Sequence, residues 1–135
     1  MAQPLEGKRI LLVDDDNDIL VSMQAAFEPT GAVIETAANG NKAVELAEKN
    51  TPDLVVLDMM LPGRSGFLVL EKIKARKPRN QKPFVVMITG NPGKRHQAYA
   101  ESLGVSEYIT KPVKLDRLLA VAEKLLAPPS ATPAV

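Results

Sequence analysis

Five polar residues stand at the ends of short predicted strands, four of them after apolar runs. Asp14 and Asp15 follow Ile10-Leu11-Leu12-Val13, and Asp58 follows Leu54-Val55-Val56-Leu57. Thr89 follows Phe84-Val85-Val86-Met87-Ile88, and Lys111 comes just after a fifth short strand, Val105 to Ile109, which is more polar. Apolar runs without alternation read as parallel strands buried on both faces. Parallel strands share a carboxyl edge, where ligands and chemistry collect in open α/β sheets. A single Asp at a strand end is ordinarily a helix cap or a solvated charge. Five reactive groups at one edge, in strand order, form a stronger signal. Carboxylates brought close together repel and raise one another's pKa. A divalent cation relieves that repulsion. An all-oxygen donor set without His or Cys favours Mg²⁺, which accepts one or two carboxylates, keeps waters and takes a phosphate partner. A hydroxyl and an ammonium opposite the acids complete a cradle for phosphoryl oxygens. Transfer of such groups is catalysed mainly by positioning and charge neutralisation, and an Asp carboxylate can serve as the acceptor.

The elements that must position these groups alternate along the chain. The first strand, Lys8 to Val13, leads to a helix with Ile19, Leu20, Met23 and Phe27 on one face, ended by Pro29 and Gly31. Asn17-Asp18 can cap that helix, and acids there suit its positive end. A short second strand, Ala32 to Ala37, reads as an edge strand. Asn39 caps a second helix running to about Asn50, with Ala43, Val44 and Ala47 inward. Thr51-Pro52 breaks the chain before the strand ending at Asp58, and Leu61-Pro62-Gly63 turns it afterwards. Ser65 caps a third helix that buries Phe67, Leu70 and Ile73. Lys74 to Lys82 is basic, holds Pro78 and reads as a solvated connector. The fourth strand, Pro83 to Ile88, ends at Thr89-Gly90, followed by the turn-rich Asn91-Pro92-Gly93. A weakly apolar helix with Tyr99 runs to about Leu103, and the fifth strand spans Val105 to Ile109. The last helix, Lys114 to Leu126, places Leu115, Leu118, Leu119, Ala122, Leu125 and Leu126 at helical spacing. This alternation predicts a parallel sheet with helices on both faces and right-handed crossovers.

The 135 residues suffice for one ordinary domain, and 45% hydrophobic content supports a core. Expected bounds are 1–7 for an N-terminal extension, 8–126 for the domain and 127–135 for a disordered Pro/Ala-rich tail or linker. With no cysteine, disulfides and Cys-ligated metals are excluded. A net charge of +1 argues against direct nucleic-acid binding. The start lacks the apolar stretch of a signal peptide, and no segment has the length of a membrane span. A cytoplasmic location away from the membrane is expected. His96, the only histidine, reads as a stray surface residue. Asp16, Asp18, Asp53 and Asp116 read as caps or solvated charges, and Asp16 is also placed to support the metal site from behind its ligands.

Four motifs then carry a resemblance: Ile10-Leu11-Leu12-Val13-Asp14-Asp15-Asp16, Leu57-Asp58-Met59-Met60-Leu61-Pro62-Gly63, Ile88-Thr89-Gly90 and Tyr108-Ile109-Thr110-Lys111-Pro112. Over about Lys8 to Leu126 the chain resembles a response-regulator receiver domain of two-component signalling, of the chemotaxis-regulator type. The resemblance implies a flavodoxin-like, doubly wound (βα)₅ fold with a five-stranded parallel sheet in the order 2-1-3-4-5. It implies that Asp58 is the phosphoacceptor and that Asp14, Asp15, Asp58 and the backbone carbonyl of Met60 hold Mg²⁺. It makes Thr89 the switch hydroxyl, Lys111 the phosphate-pairing ammonium and Tyr108 the switch aromatic. The implied donor is a histidine kinase or a histidine phosphotransfer protein. The implied output is a downstream protein or a homodimer, through the fourth helix, fifth strand and fifth helix. Such a domain is a signalling switch, not an enzyme on other substrates; it promotes its own phosphorylation and dephosphorylation. Gly90 departs from the family's usual Ala, so an unusual loop is expected after Thr89. Met60 and Asn91 occupy positions that tune phosphoryl lifetime, and apolar Met60 cannot orient a hydrolytic water. The Lys111–Pro112 bond is expected to be cis, at a cost of only about 0.5–1 kcal/mol for an X-Pro bond.

Three other readings fit less well. An aspartyl-phosphate phosphatase generally needs a second acid two residues after the nucleophile, where Met60 stands. A nucleotide or flavin module would show a Gly-x-Gly-x-x-Gly or Walker loop after a strand, and neither is present. A degenerate receiver used only for contacts would have lost part of the five-residue set.

Overall fold

The computed structural model describes residues 4–61, 65–75, 81–90 and 93–126. The expected turn at Pro62-Gly63, Pro78, most of the turn-rich Asn91-Pro92-Gly93 and the 127–135 tail lie outside them. Five strands form one parallel sheet: β1 (Arg9–Val13), β2 (Val33–Ala37), β3 (Leu54–Asp58), β4 (Phe84–Thr89) and β5 (Glu107–Thr110), in the order β2-β1-β3-β4-β5. Five helices separate and follow them: α1 (Asn17–Phe27), α2 (Gly40–Asn50), α3 (Gly66–Ile73), α4 (Lys94–Ser102) and α5 (Leu115–Leu126). A 3-10 turn, Glu28–Thr30, closes α1 and ends at Gly31 with φ 82°.

The two-residue period of the strands sorts the core into two layers. Leu11, Val13, Val55, Leu57, Val85 and Met87 pack with Ala43, Val44 and Ala47 of α2, Val69, Leu70 and Ile73 of α3, and Ala100 of α4. Ile10, Leu12, Leu54, Val56, Val86, Ile88 and Ile109 pack with Leu20, Met23 and Phe27 of α1 and Leu118, Val121, Ala122 and Leu126 of α5. Every residue of β3 is buried, as befits the middle strand. β2 lies at the edge, and only Ala37 of it is buried.

Caps fix where the helices start. Asn39 Oδ1 accepts from Lys42 N–H at 2.8 Å, and Ser65 Oγ from Leu68 N–H at 3.3 Å. α1 is capped by Asp16, whose Oδ1 accepts from Asp18 N–H at 2.9 Å, so the cap lies one residue before Asn17-Asp18.

Three further expectations need correction. Lys74 is not part of a solvated connector. It is buried, and its Nζ donates to the carbonyls of Gln81 (2.5 Å) and Pro83 (3.1 Å), tying α3 to the start of β4. His96 is not a stray surface residue. Its half-buried ring lies over Phe67, with centroids 6.0 Å apart. β4 reaches Thr89, and β5 starts only at Glu107, because Val105 is taken up by the turn after α4 and bonds back to Ala100 O.

Leu5 is fully buried in the α1/α5 layer, with its N–H on Thr30 O at 3.0 Å. Among the described residues, no helix is long and apolar enough to cross a membrane.

Candidate functional site

The sheet delivers its polar tips by backbone bonding beyond the regular strands. Asp14 N–H continues the β1–β2 ladder to Ala37 O (3.1 Å), and Lys111 N–H continues the β4–β5 ladder to Thr89 O (2.6 Å). Strand parity decides which tips meet. Asp14 follows Ile10 and Leu12, Asp58 follows Leu54 and Val56, and Lys111 follows Ile109, all toward the α1/α5 layer. These three groups converge. Lys111 Nζ lies 3.4 Å from Asp58 Oδ2 and 3.6 Å from Asp14 Oδ2. Asp14 and Asp58 are buried, whereas Asp15 is exposed. One carboxylate oxygen from each of Asp14, Asp15 and Asp58 fits within a span of 4.8 Å.

Thr89 and Tyr108 fall on the other parity, with Met87 and the α2/α3/α4 layer. Thr89 is fully buried, one residue past Ile88, the register partner of Asp58. Tyr108 is half-buried, and its hydroxyl reaches Met59 Sδ at 3.9 Å. Met60 turns its side chain outward, 70% exposed, while its N–H donates to Asp58 Oδ1 at 3.1 Å. The Lys111–Pro112 bond is cis, as is Lys82–Pro83.

The electrostatics are those of an acidic site in need of positive charge. Burial pushes the Asp14 carboxyl up to about 6; Asp58 and Asp15 add to the rise, and Asp16 N–H and Lys111 oppose it. Burial would lower the Lys111 ammonium, but Asp58 and Asp14 outweigh burial and hold it above its ordinary value. Asp14 Oδ1 accepts from Asp16 N–H at 2.9 Å, whereas its buried Oδ2 has no hydrogen-bond donor among the described residues. Lys111 is within ion-pair range of that oxygen but beyond good hydrogen-bonding distance. A buried carboxylate oxygen left this way is costly without a cation. The donor set is all oxygen, so the residues fit a hard divalent ion such as Mg²⁺.

Two contributors escape a reading of the sequence. Met59 links Asp58 to Tyr108, and a Met in an apolar run carries no signal for that. Gly66 lies against the backbone of Asp58 and Met59. Its sequence signal is only a glycine at the start of a helix, where a better helix former would otherwise serve.

A five-stranded doubly wound sheet with acids and a lysine at its carboxyl edge defines a flavodoxin-like receiver of the chemotaxis-regulator type. The sequence profile of the response regulator receiver domain matches residues 10–123, and the chain belongs to that family of two-component signalling. The chain is 39% identical over 119 residues to the "Regulator of RpoS" of Escherichia coli K12, covering 87% of this chain and 34% of that protein. It is 34% identical over 106 residues to the "Alkaline phosphatase synthesis transcriptional regulatory protein PhoP" of Bacillus subtilis, covering 78% and 43%. The chain therefore spans less than half the length of these relatives. Among solved structures it is similar to a CheY-like response regulator receiver domain protein from Methanospirillum hungatei. The TM-score is 0.79 at 34% identity, covering 87% of this chain and 93% of that one.

Proposed function

We propose that this receiver is a phosphorylation switch in which Asp58 takes a phosphoryl group from a histidine kinase or a histidine phosphotransfer protein. The observation that carries the reading is the Asp58 carboxylate: buried at the tip of β3, beside Asp14, with Lys111 Nζ at 3.4 Å. An Asp58 oxygen attacks phosphorus and forms an O–P bond. The N–P bond of the donor phosphohistidine breaks, and its electron pair returns to the imidazole nitrogen, which takes up a proton. Asp14, Asp15, Asp58 and the Met60 carbonyl are the groups that would hold Mg²⁺. When bound, Mg²⁺ neutralises the carboxylates and the oxygens of the incoming phosphoryl group. The Lys111 ammonium moves its pairing from the Asp58 carboxylate to a phosphoryl oxygen. The Thr89 hydroxyl donates to another phosphoryl oxygen, and Tyr108 responds on the same sheet face as Thr89.

The unit proposed to do this is 8–126, flanked by 127–135 and by the segment 1–7, whose Leu5 nonetheless lodges in its core. The output is a downstream protein or a second copy at the α4/β5/α5 face, in the cytoplasm, without direct nucleic-acid or membrane contact. The domain acts on no other substrate, promoting only its own phosphorylation and dephosphorylation. The test is incubation with acetyl phosphate and MgCl₂, read by intact-mass spectrometry. A single phosphoryl adduct is expected, lost in chelator and absent from Asp58→Asn. An adduct of equal yield in Asp58→Asn would overturn the assignment.

A further inference from the structure

We infer that Gly66 is a positioning residue for the metal end of this site, an inference that rests on the Mg²⁺ reading above. Gly66 opens α3, is buried, and donates its N–H to Met59 O at 2.9 Å. A Cβ added there would stand 2.5 Å from Asp58 O, 2.6 Å from Met59 Cα and 2.9 Å from Met59 O. All three are backbone atoms, so no side-chain rotation relieves the overlap. The segment is held from the other side as well, because Met59 N–H donates to Ile88 O at 2.9 Å. The backbone joining Asp58 to Met60 is therefore clamped between β4 and the first residue of α3.

This segment carries two of the four proposed donors, the Asp58 carboxylate and the Met60 carbonyl. The other two, Asp14 and Asp15, follow the end of β1, a different strand, whereas the three atoms nearest the added Cβ all belong to Asp58 and Met59. A side chain at position 66 pushes one pair of donors relative to the other. Mg²⁺ demands near-ideal octahedral geometry at about 2.0–2.1 Å, so such a push falls directly on affinity. A glycine serving only helix packing would give a different result: loss of stability with metal affinity unchanged.

The experiment is calorimetric Mg²⁺ titration of the full chain, with urea unfolding in EDTA alongside. Gly66→Ala is expected to weaken Mg²⁺ binding about tenfold or more, in the range seen when groups that orient metal ligands are changed. The control is Ser65→Ala, which removes the α3 cap on Leu68 N–H and loosens the same helix end without crowding Asp58. It is expected to lose stability and keep Mg²⁺ affinity within about twofold, well inside that range. Gly66→Ala binding as tightly as the wild-type chain overturns the inference. A wild-type chain that takes up no Mg²⁺ at all overturns the proposed function itself, a distinct outcome. A second measurement needs no variant. Saturating Mg²⁺ should slow hydrogen exchange at the Gly66 amide of the wild-type chain several-fold, because the closed contact is the one the ion selects. Unchanged exchange there overturns the inference even if Gly66→Ala does not fold.

Discussion

Asp14 is where the site opposes the fold. Its side chain is buried, and burial, with Asp58 and Asp15, lifts its carboxyl to about 6 from an ordinary 3.8. The folded chain therefore binds a proton here more tightly than the unfolded chain does. Stability attributable to this group is full below about pH 3.8, falls as pH rises, and is lost above about 6. That rise corresponds to at most about 3 kcal/mol. Asp14→Asn should thus stabilise the chelated protein by about 2 kcal/mol at pH 7.5 and by nearly nothing at pH 4, read from urea unfolding at each pH. Mg²⁺ should stabilise the wild-type chain and do little for the variant. At this scale the sequence is readable where chemistry ends a strand: Asp14, Asp15, Asp58 and Thr89 close apolar runs, and Lys111 follows the shorter, more polar β5, all at strand tips as expected. It was unreadable where a role depends on what comes near from elsewhere. Met59 meets Tyr108 across 49 positions, and Gly66 folds back on Asp58.

Elements show the same division. Asn39 and Ser65 cap their helices as their types and places predict, because capping is local chemistry. Lys74 misleads because its composition, in a basic stretch, says solvent, while its position at the end of α3 points the ammonium at two inward carbonyls. Nearby, Asp53 braces the amino edge. Its Oδ2 accepts from Arg9 N–H at 2.8 Å and its Oδ1 from Lys82 Nζ at 2.9 Å. Burial alone would raise this carboxyl, but those two donors outweigh it and hold it below the usual carboxylate range. Leu5 belongs to the core although it precedes the first strand. It meets the segment after α1, a neighbour that no local pattern reveals. Leu5→Ala should cost about 2–5 kcal/mol, the range for a fully buried leucine, measured as a lower urea midpoint. A cost under about 0.5 kcal/mol, the size of a surface change, would mean that the segment merely rests on the domain.

For the molecule as a whole, the strand order follows from the alternation only with the help of resemblance, since alternation fixes parallel pairing and not sequence of neighbours. What neither supplies is the division of the site by strand parity. Asp14, Asp58 and Lys111 continue the α1/α5 face, whereas Thr89 and Tyr108 lie with the α2/α3/α4 face. A phosphoryl group on Asp58 that engages Thr89 would thus connect the two faces through the sheet edge. Binding that favours one of two packings shifts a population already present. Beryllofluoride, a phosphoryl mimic, should therefore move the amide resonances of Thr89, Tyr108 and residues 94–126 in two-dimensional NMR. Changes confined to the neighbours of Asp58 would count against a switch that reaches α4 and β5.

The sheet is also a partition. Met23 and Phe27 lie on one side of it and Val69 and Leu70 on the other, in two cores that share no member among the described residues. Volume lost on one side can be refilled only by a larger neighbour on that side. The two halves can accordingly drift in sequence as separate populations of residues, each correcting its own errors. The strands are the exception. Val55 and Val56 are adjacent in the chain yet serve different cores, so the middle strand is where both histories must agree.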